Sequence, residues 1–123
     1  MSLTIDEITA ANVDRCKQWH LGYPTDDNWS LADWSNAMCG EAGEAANVVK
    51  KWRRHQTGTS TPRDPSVYEL RDALADEIAD VFLYLNLLAV KADIDMDAAI
   101  ARKFNVVSER QGFPRRLHVR GEP

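Results

Sequence analysis

GEAGEAANVVKKW, residues 40–52, sets the problem of this chain. Alanine, glutamate and lysine favour a helix. Reading outward, Leu31, Trp34, Met38, Glu41, Ala45, Val48 and Trp52 recur at spacings of three and four. That is the core-facing stripe of an amphipathic helix. Glu41 stands in the middle of it, and Glu44 is nearly above it on the same side. Ser30-Leu-Ala-Asp33 is a capping box in which aspartate replaces the usual glutamate. The segment is therefore predicted as a helix from just after Ser30 to about Trp52.

A second stripe repeats the anomaly. Leu70, Leu74, Glu77, Val81, Tyr84 or Leu85, and Leu88 form one apolar face interrupted by Glu77, with Asp80 three residues later. Ser66-Val-Tyr-Glu69 is a full capping box. This helix is predicted to reach about Ala92 and to be the longest. RRHQTGTSTPRDP, residues 53–65, carries Gly58, Pro62 and Pro65 and reads as a polar loop between the two helices.

Two further helices complete the pattern. One spans about Thr4 to Leu21, opened by a Thr4–Glu7 capping box and broken by GYPTDDNW at 22–29. The other spans about Met96 to Gln111, with Asp95 as its cap and Gly112 and Pro114 beyond its end. Residues 115–123 read as a tail without structure of its own. No segment has the pattern of a strand. The expected fold class is all-α, a four-helix bundle-like arrangement in a single domain over 1–123 with its core at about 15–114.

Bulk properties narrow the function. The chain has 123 residues and a formal net charge of -4. A mildly acidic chain is not built to wrap nucleic acid. No apolar run approaches the ~18 residues of a membrane span, and the acidic N-terminus does not resemble a secretion signal. The expectation is a cytoplasmic protein with no membrane and no nucleic-acid partner. Cys16 and Cys39 form no CxxC pair and read as reduced thiols, with Cys39 packed in a helix.

Four carboxylates on inward helix faces would repel by an amount on the order of several kcal/mol if nothing neutralised them. A divalent cation is the economical remedy. All-oxygen ligation without histidine suits Mg²⁺, or Mn²⁺ as a substitute, rather than zinc or copper. The competing reading is that such glutamates border the core and extend into water. Matched pairs on two helices favour the metal site.

These residues carry a resemblance. EAGE at 41–44, then DEIAD at 76–80 within LADEIADVFLYL, and KFNVVSERQGFP at 103–114 resemble the MazG-like all-α nucleoside triphosphate pyrophosphohydrolases over about residues 15–114. The resemblance implies Mg²⁺ ligation by Glu41, Glu44, Glu77 and Asp80, a nucleotide site lined by Tyr84, and phosphate contacts from Lys103 and Arg110. Asn105 falls in the same segment. It further implies a homodimer, or a tetramer built from dimers. Gly40 and Asn47 stand where relatives carry additional acids.

The implied reaction is hydrolysis of a (deoxy)nucleoside triphosphate to the monophosphate and pyrophosphate, serving to clean the nucleotide pool. Glu41 or Glu44 is the candidate proton acceptor. Lys50 and Lys51, two turns past Glu44, are placed to flank phosphates. Trp29, Trp34, Asn36 and Tyr84 are candidates to line the base, with Trp34 read more readily as core. Trp19 and Trp52 are assigned to packing or a subunit interface. There is no P-loop. The alternative reading is a catalytically weak nucleotide- or metal-binding helical module with a regulatory or adaptor role.

Overall fold

The computed structural model describes residues 2–19 and 29–121, and among these the only regular elements are four helices. They are α1 (Ile5–Trp19), α2 (Leu31–Thr57), α3 (Val67–Lys91) and α4 (Met96–Gln111). The expected all-α class holds, and no strand occurs among the described residues. The break expected at 22–29 and the end of the first helix at Leu21 lie almost wholly outside them. Among the described residues, no helix is long and apolar enough to cross a membrane.

The capping boxes form as the sequence implies. The Glu7 N–H donates to Thr4 Oγ1 at 3.2 Å, and the Thr4 N–H donates to Glu7 Oε2 at 2.8 Å. Ser30 and Asp33 exchange the same pair at 3.2 and 2.8 Å, as do Ser66 and Glu69 at 3.1 and 2.9 Å. Asp95 accepts from the Ala98 N–H at 3.1 Å. Each satisfies N–H groups that a helix start leaves without an internal partner.

The end of α2 differs from expectation. α2 continues five residues past Trp52 to Thr57, so at 27 residues it exceeds α3 at 25. Arg53, Arg54 and Gln56 are adequate helix formers, and nothing breaks the helix until Gly58 turns left-handed at φ 73. The remaining connection is tied down. Arg54 pairs with Asp64 at 3.1 Å, and His55 Nε2 lies 2.7 Å from the Pro65 carbonyl. Asp64 also accepts from the Thr61 N–H at 2.8 Å.

The chain divides into two compact units. The first unit, Trp29–Leu88, is a helical hairpin. Its pairs step steadily toward the loop: Trp34 with Tyr84 and Glu41 with Glu77 across the two helices, then Arg54 with Asp64 in the connection itself. Such a ladder is produced only by antiparallel helices in fixed register. Trp34 at 1% exposure and Leu70 at 2% anchor its buried face.

The second unit holds α1, α4 and the chain from Ala89 onward. Asn12, Val13 and Cys16 of α1 and Ser108 of α4 are buried there. The short α3–α4 connection turns through Asp93 at φ 56, a conformation an aspartate tolerates better than most residues. The C-terminal tail lacks regular structure but is held. Asn105 Nδ2 donates to the Leu117 carbonyl at 2.8 Å, and the Leu117 N–H donates to Asn105 Oδ1 at 2.7 Å.

Candidate metal centre

Antiparallel register brings the acids of α2 and α3 together. Glu41, Glu77 and Asp80 each offer a carboxylate oxygen, and these oxygens all lie within 4.8 Å of one another. Glu41 and Glu77 are half-buried and Asp80 is exposed. Glu44 is also exposed and is not one of the three. Its negative charge still acts on Glu77.

The electrostatics follow from that crowding. Burial raises the Glu77 pKa above its ordinary value. A hydrogen bond with Glu41 raises it further, as do the charges of Glu41, Glu44 and Asp80. A carboxyl in this position holds a proton more tightly than an ordinary glutamate, and a positive charge in the cluster would oppose that shift. An oxygen-only donor set at this spacing fits a hard divalent cation such as Mg²⁺. Three carboxylates would not by themselves fill the coordination shell of such an ion.

An aromatic cluster lies beside the acids in the same hairpin. The Trp29 and Trp34 ring centroids are 4.5 Å apart with planes tilted by 47°, and Tyr84 is 6.3 Å from Trp34. Tyr84 sits one turn past Asp80 on α3. Trp34 is fully buried, so it acts as the floor, while half-buried Trp29 and Tyr84 are the rings a ligand could reach. The sequence reading of Trp34 as core agrees with this burial.

The remaining candidates are placed less uniformly. Asn36 is exposed on α2 and Lys51 is half-buried two turns past Glu44. Lys103 and Arg110 are exposed on α4, in the other unit. Asn105 is on α4 as well, with its carboxamide engaged by Leu117, a structural duty its sequence context did not signal. Arg54, in the last turn of α2, makes an ion pair with Asp64.

The expectation for Cys39 changes. Cys39 lies on α2 but is exposed, while Cys16 is the buried thiol, its pKa raised by burial. A Cβ at Gly43 of α2 would meet nothing within 4 Å. Trp19 is 66% exposed, with the Arg15 guanidinium 5.8 Å from the centre of its ring.

No protein-family model matches the chain. It is similar to the Gene 37 protein of Mycobacterium phage L5, 36% identical over 74 residues. That stretch is 60% of this chain and spans 60% of the length of the phage protein.

Proposed function

We propose that this protein is a Mg²⁺-dependent nucleoside triphosphate pyrophosphohydrolase of the MazG-like type that its sequence resembles. The convergence of Glu41, Glu77 and Asp80 within 4.8 Å, from two separate helices, carries the reading. Those three side chains would hold the ion. When bound, Mg²⁺ neutralises the acids and stabilises charge on triphosphate oxygens.

The chain's own groups supply the rest. Glu44 is exposed and outside the trio, so it is the carboxylate left to accept a proton. Water attacks the α-phosphorus, its proton passes to Glu44, and the bond to the β-phosphate oxygen breaks. Pyrophosphate leaves and a nucleoside monophosphate remains. Trp29 and Tyr84 present apolar rings for the base, and Lys51 offers charge toward the phosphates. The resemblance assigns phosphate contacts to Lys103 and Arg110 as well. The same reading makes the protein a bundle completed by dimerisation.

A panel of canonical and noncanonical triphosphates incubated with Mg²⁺ tests the reaction. Monophosphate plus pyrophosphate is expected. Release of orthophosphate refutes the reaction type. The exposure of Glu44 and Asp80 favours one other reading, a binding module with weak turnover. Tight nucleotide binding without product in the same panel would decide for it.

A further inference from the structure

The formal charge of -4 is unevenly spread along the chain. Residues 102–120 hold six of the fifteen Lys and Arg residues and one of the nineteen acids, so this stretch is net +5 and the rest net -9. All of it lies in the second unit. At about 100° per residue, Arg102, Lys103, Val106 and Arg110 share one side of α4, and all four are exposed. Ala101, Asn105 and Ser108, half-buried or buried, face the other way. The tail folds back along the helix. Asn105 stands six residues before the end of α4 and grips Leu117, six residues beyond it. Ile100 and Ala101 then line one groove together with residues 117–120. Arg115 and Arg120, both exposed, are thereby brought alongside α4 rather than left beyond its end. Arg116 between them turns inward, its Nη1 donating to the Phe113 and Arg115 carbonyls.

We infer that α4 and its folded-back tail bind single-stranded nucleic acid. Among the described residues, none of Arg102, Lys103, Arg110, Arg115 and Arg120 is in an ion pair. Laying cations beside cations costs stability through self-repulsion. The chain keeps them together with the two Asn105 hydrogen bonds and does not neutralise them. A polyanion relieves that repulsion and releases small counterions as it binds. Shape selects a single strand. A helix with its side chains is about 10–12 Å across, so helix and tail together are too wide for the ~12 Å major groove of a duplex. Apolar groups are interleaved with the charges. Val106, 46% exposed, lies among the cations of α4, and Phe113, 60% exposed, stands at the turn from helix to tail just past Gly112. An exposed ring beside cations is a platform on which an unpaired base stacks.

The whole-chain charge argued against a nucleic-acid partner, and the segregation of that charge reverses the expectation for this one surface. The resemblance assigns Lys103 and Arg110 to the phosphates of a single nucleotide. Arg102, Arg115, Arg120 and Phe113 have no part in that assignment, and they are the residues that would tell a strand from a nucleotide. The three clustered acids of α2 and α3 belong to the other unit, so the inference goes beyond the catalytic reading and does not depend on it.

Fluorescence anisotropy of the purified full chain with labelled oligodeoxythymidylate of about 20 nucleotides, across a salt series, tests it. Wild type should bind, with affinity falling steeply as salt rises. Arg102→Gln/Arg115→Gln/Arg120→Gln should bind at least ~10-fold more weakly, with a log–log salt slope shallower by about 2, or ~0.7 for each lost phosphate contact. Phe113→Ala should weaken binding by ~5-fold or more at an unchanged slope, since it removes stacking and no charge. The triple variant should keep its helical circular dichroism and its triphosphate turnover, because it alters no residue placed at the metal or the nucleotide. Absence of binding at low salt, a wild-type slope below ~1, or unchanged affinity in the triple variant overturns the inference. So does a duplex of the same length bound as tightly as the single strand, or binding to anionic phospholipid vesicles without binding to the strand. Strand binding with no triphosphate hydrolysis would overturn the catalytic reading alone.

Discussion

Glu41 and Glu77 meet across the α2–α3 hairpin with carboxylate oxygens within 4.8 Å of each other, and Glu77 gains affinity for a proton from its burial and from that neighbour. Two half-buried carboxylates in such contact share a proton or share a cation. Which of these occurs is measurable through stability.

Thermal melts with and without millimolar Mg²⁺ should separate the two states. Ligand that binds only the folded form raises the melting temperature by mass action. Wild type should melt higher with Mg²⁺ and return to its lower value with a chelator. Glu77→Gln removes a like charge, so without metal it should melt above wild type. It should then gain nothing from Mg²⁺. A wild-type response to Mg²⁺ in this variant removes Glu77 from the ligand set.

Turnover should distinguish ligands from the proton acceptor. Glu41→Gln and Glu77→Gln should lower kcat by at least ~10²-fold, with helical circular dichroism intact. Glu44→Gln should lower kcat similarly but keep the Mg²⁺-induced rise in melting temperature. If Glu44→Gln abolishes that rise, Glu44 is a ligand and the assignment made here is wrong.

Trp34 and Trp29 should respond differently to truncation. Removing a fully buried tryptophan costs about 3–5 kcal/mol, so Trp34→Ala should be strongly destabilised in urea. Trp29 is only half-buried, and Trp29→Ala should lose less stability while raising KM. Equal losses in stability with unchanged KM would leave Trp29 as core alone.

The helix caps predict the acid limb of the stability curve. Backbone N–H groups of Ser30 and Thr4 hold Asp33 and Glu7 below their ordinary pKa values, with the Ser30 and Thr4 hydroxyls adding to the effect. A carboxylate whose folded pKa is depressed stabilises the fold above its unfolded pKa. That contribution fades as pH falls through the folded value. Stability should therefore decline below the unfolded values of 3.8 for Asp33 and 4.5 for Glu7. Asp33→Asn should flatten that decline. Separately, Ser30→Ala should cost about 1 kcal/mol near neutrality by removing the cap acceptor.

Asn105→Ala should release the C-terminal tail. Both hydrogen bonds to Leu117 are lost, so trypsin should cut after Arg115 or Arg116 faster than in wild type. Unchanged cleavage would mean the tail is held by other contacts.

The local sequence determined the helical class, the starts of α2, α3 and α4, and the candidacy of four acids, Glu41, Glu44, Glu77 and Asp80. Those features depend on apolar period and on caps reaching three residues, and both are written in consecutive residues. It left open where α2 stops, because Arg53–Thr57 is acceptable both as helix and as loop. Contacts with Asp64 and Pro65 accompany the helical choice.

Only tertiary structure decided which acids meet. Glu44 has the same spacing to Glu41 that Asp80 has to Glu77, yet Asp80 joins the three-carboxylate group and Glu44 does not. Spacing along one helix specifies a face, whereas the angle and register between two helices specify a distance. The same holds for the apolar side chains. The sequence marked them as apolar, but the packing of α2 against α3 determined which were buried and which remained exposed.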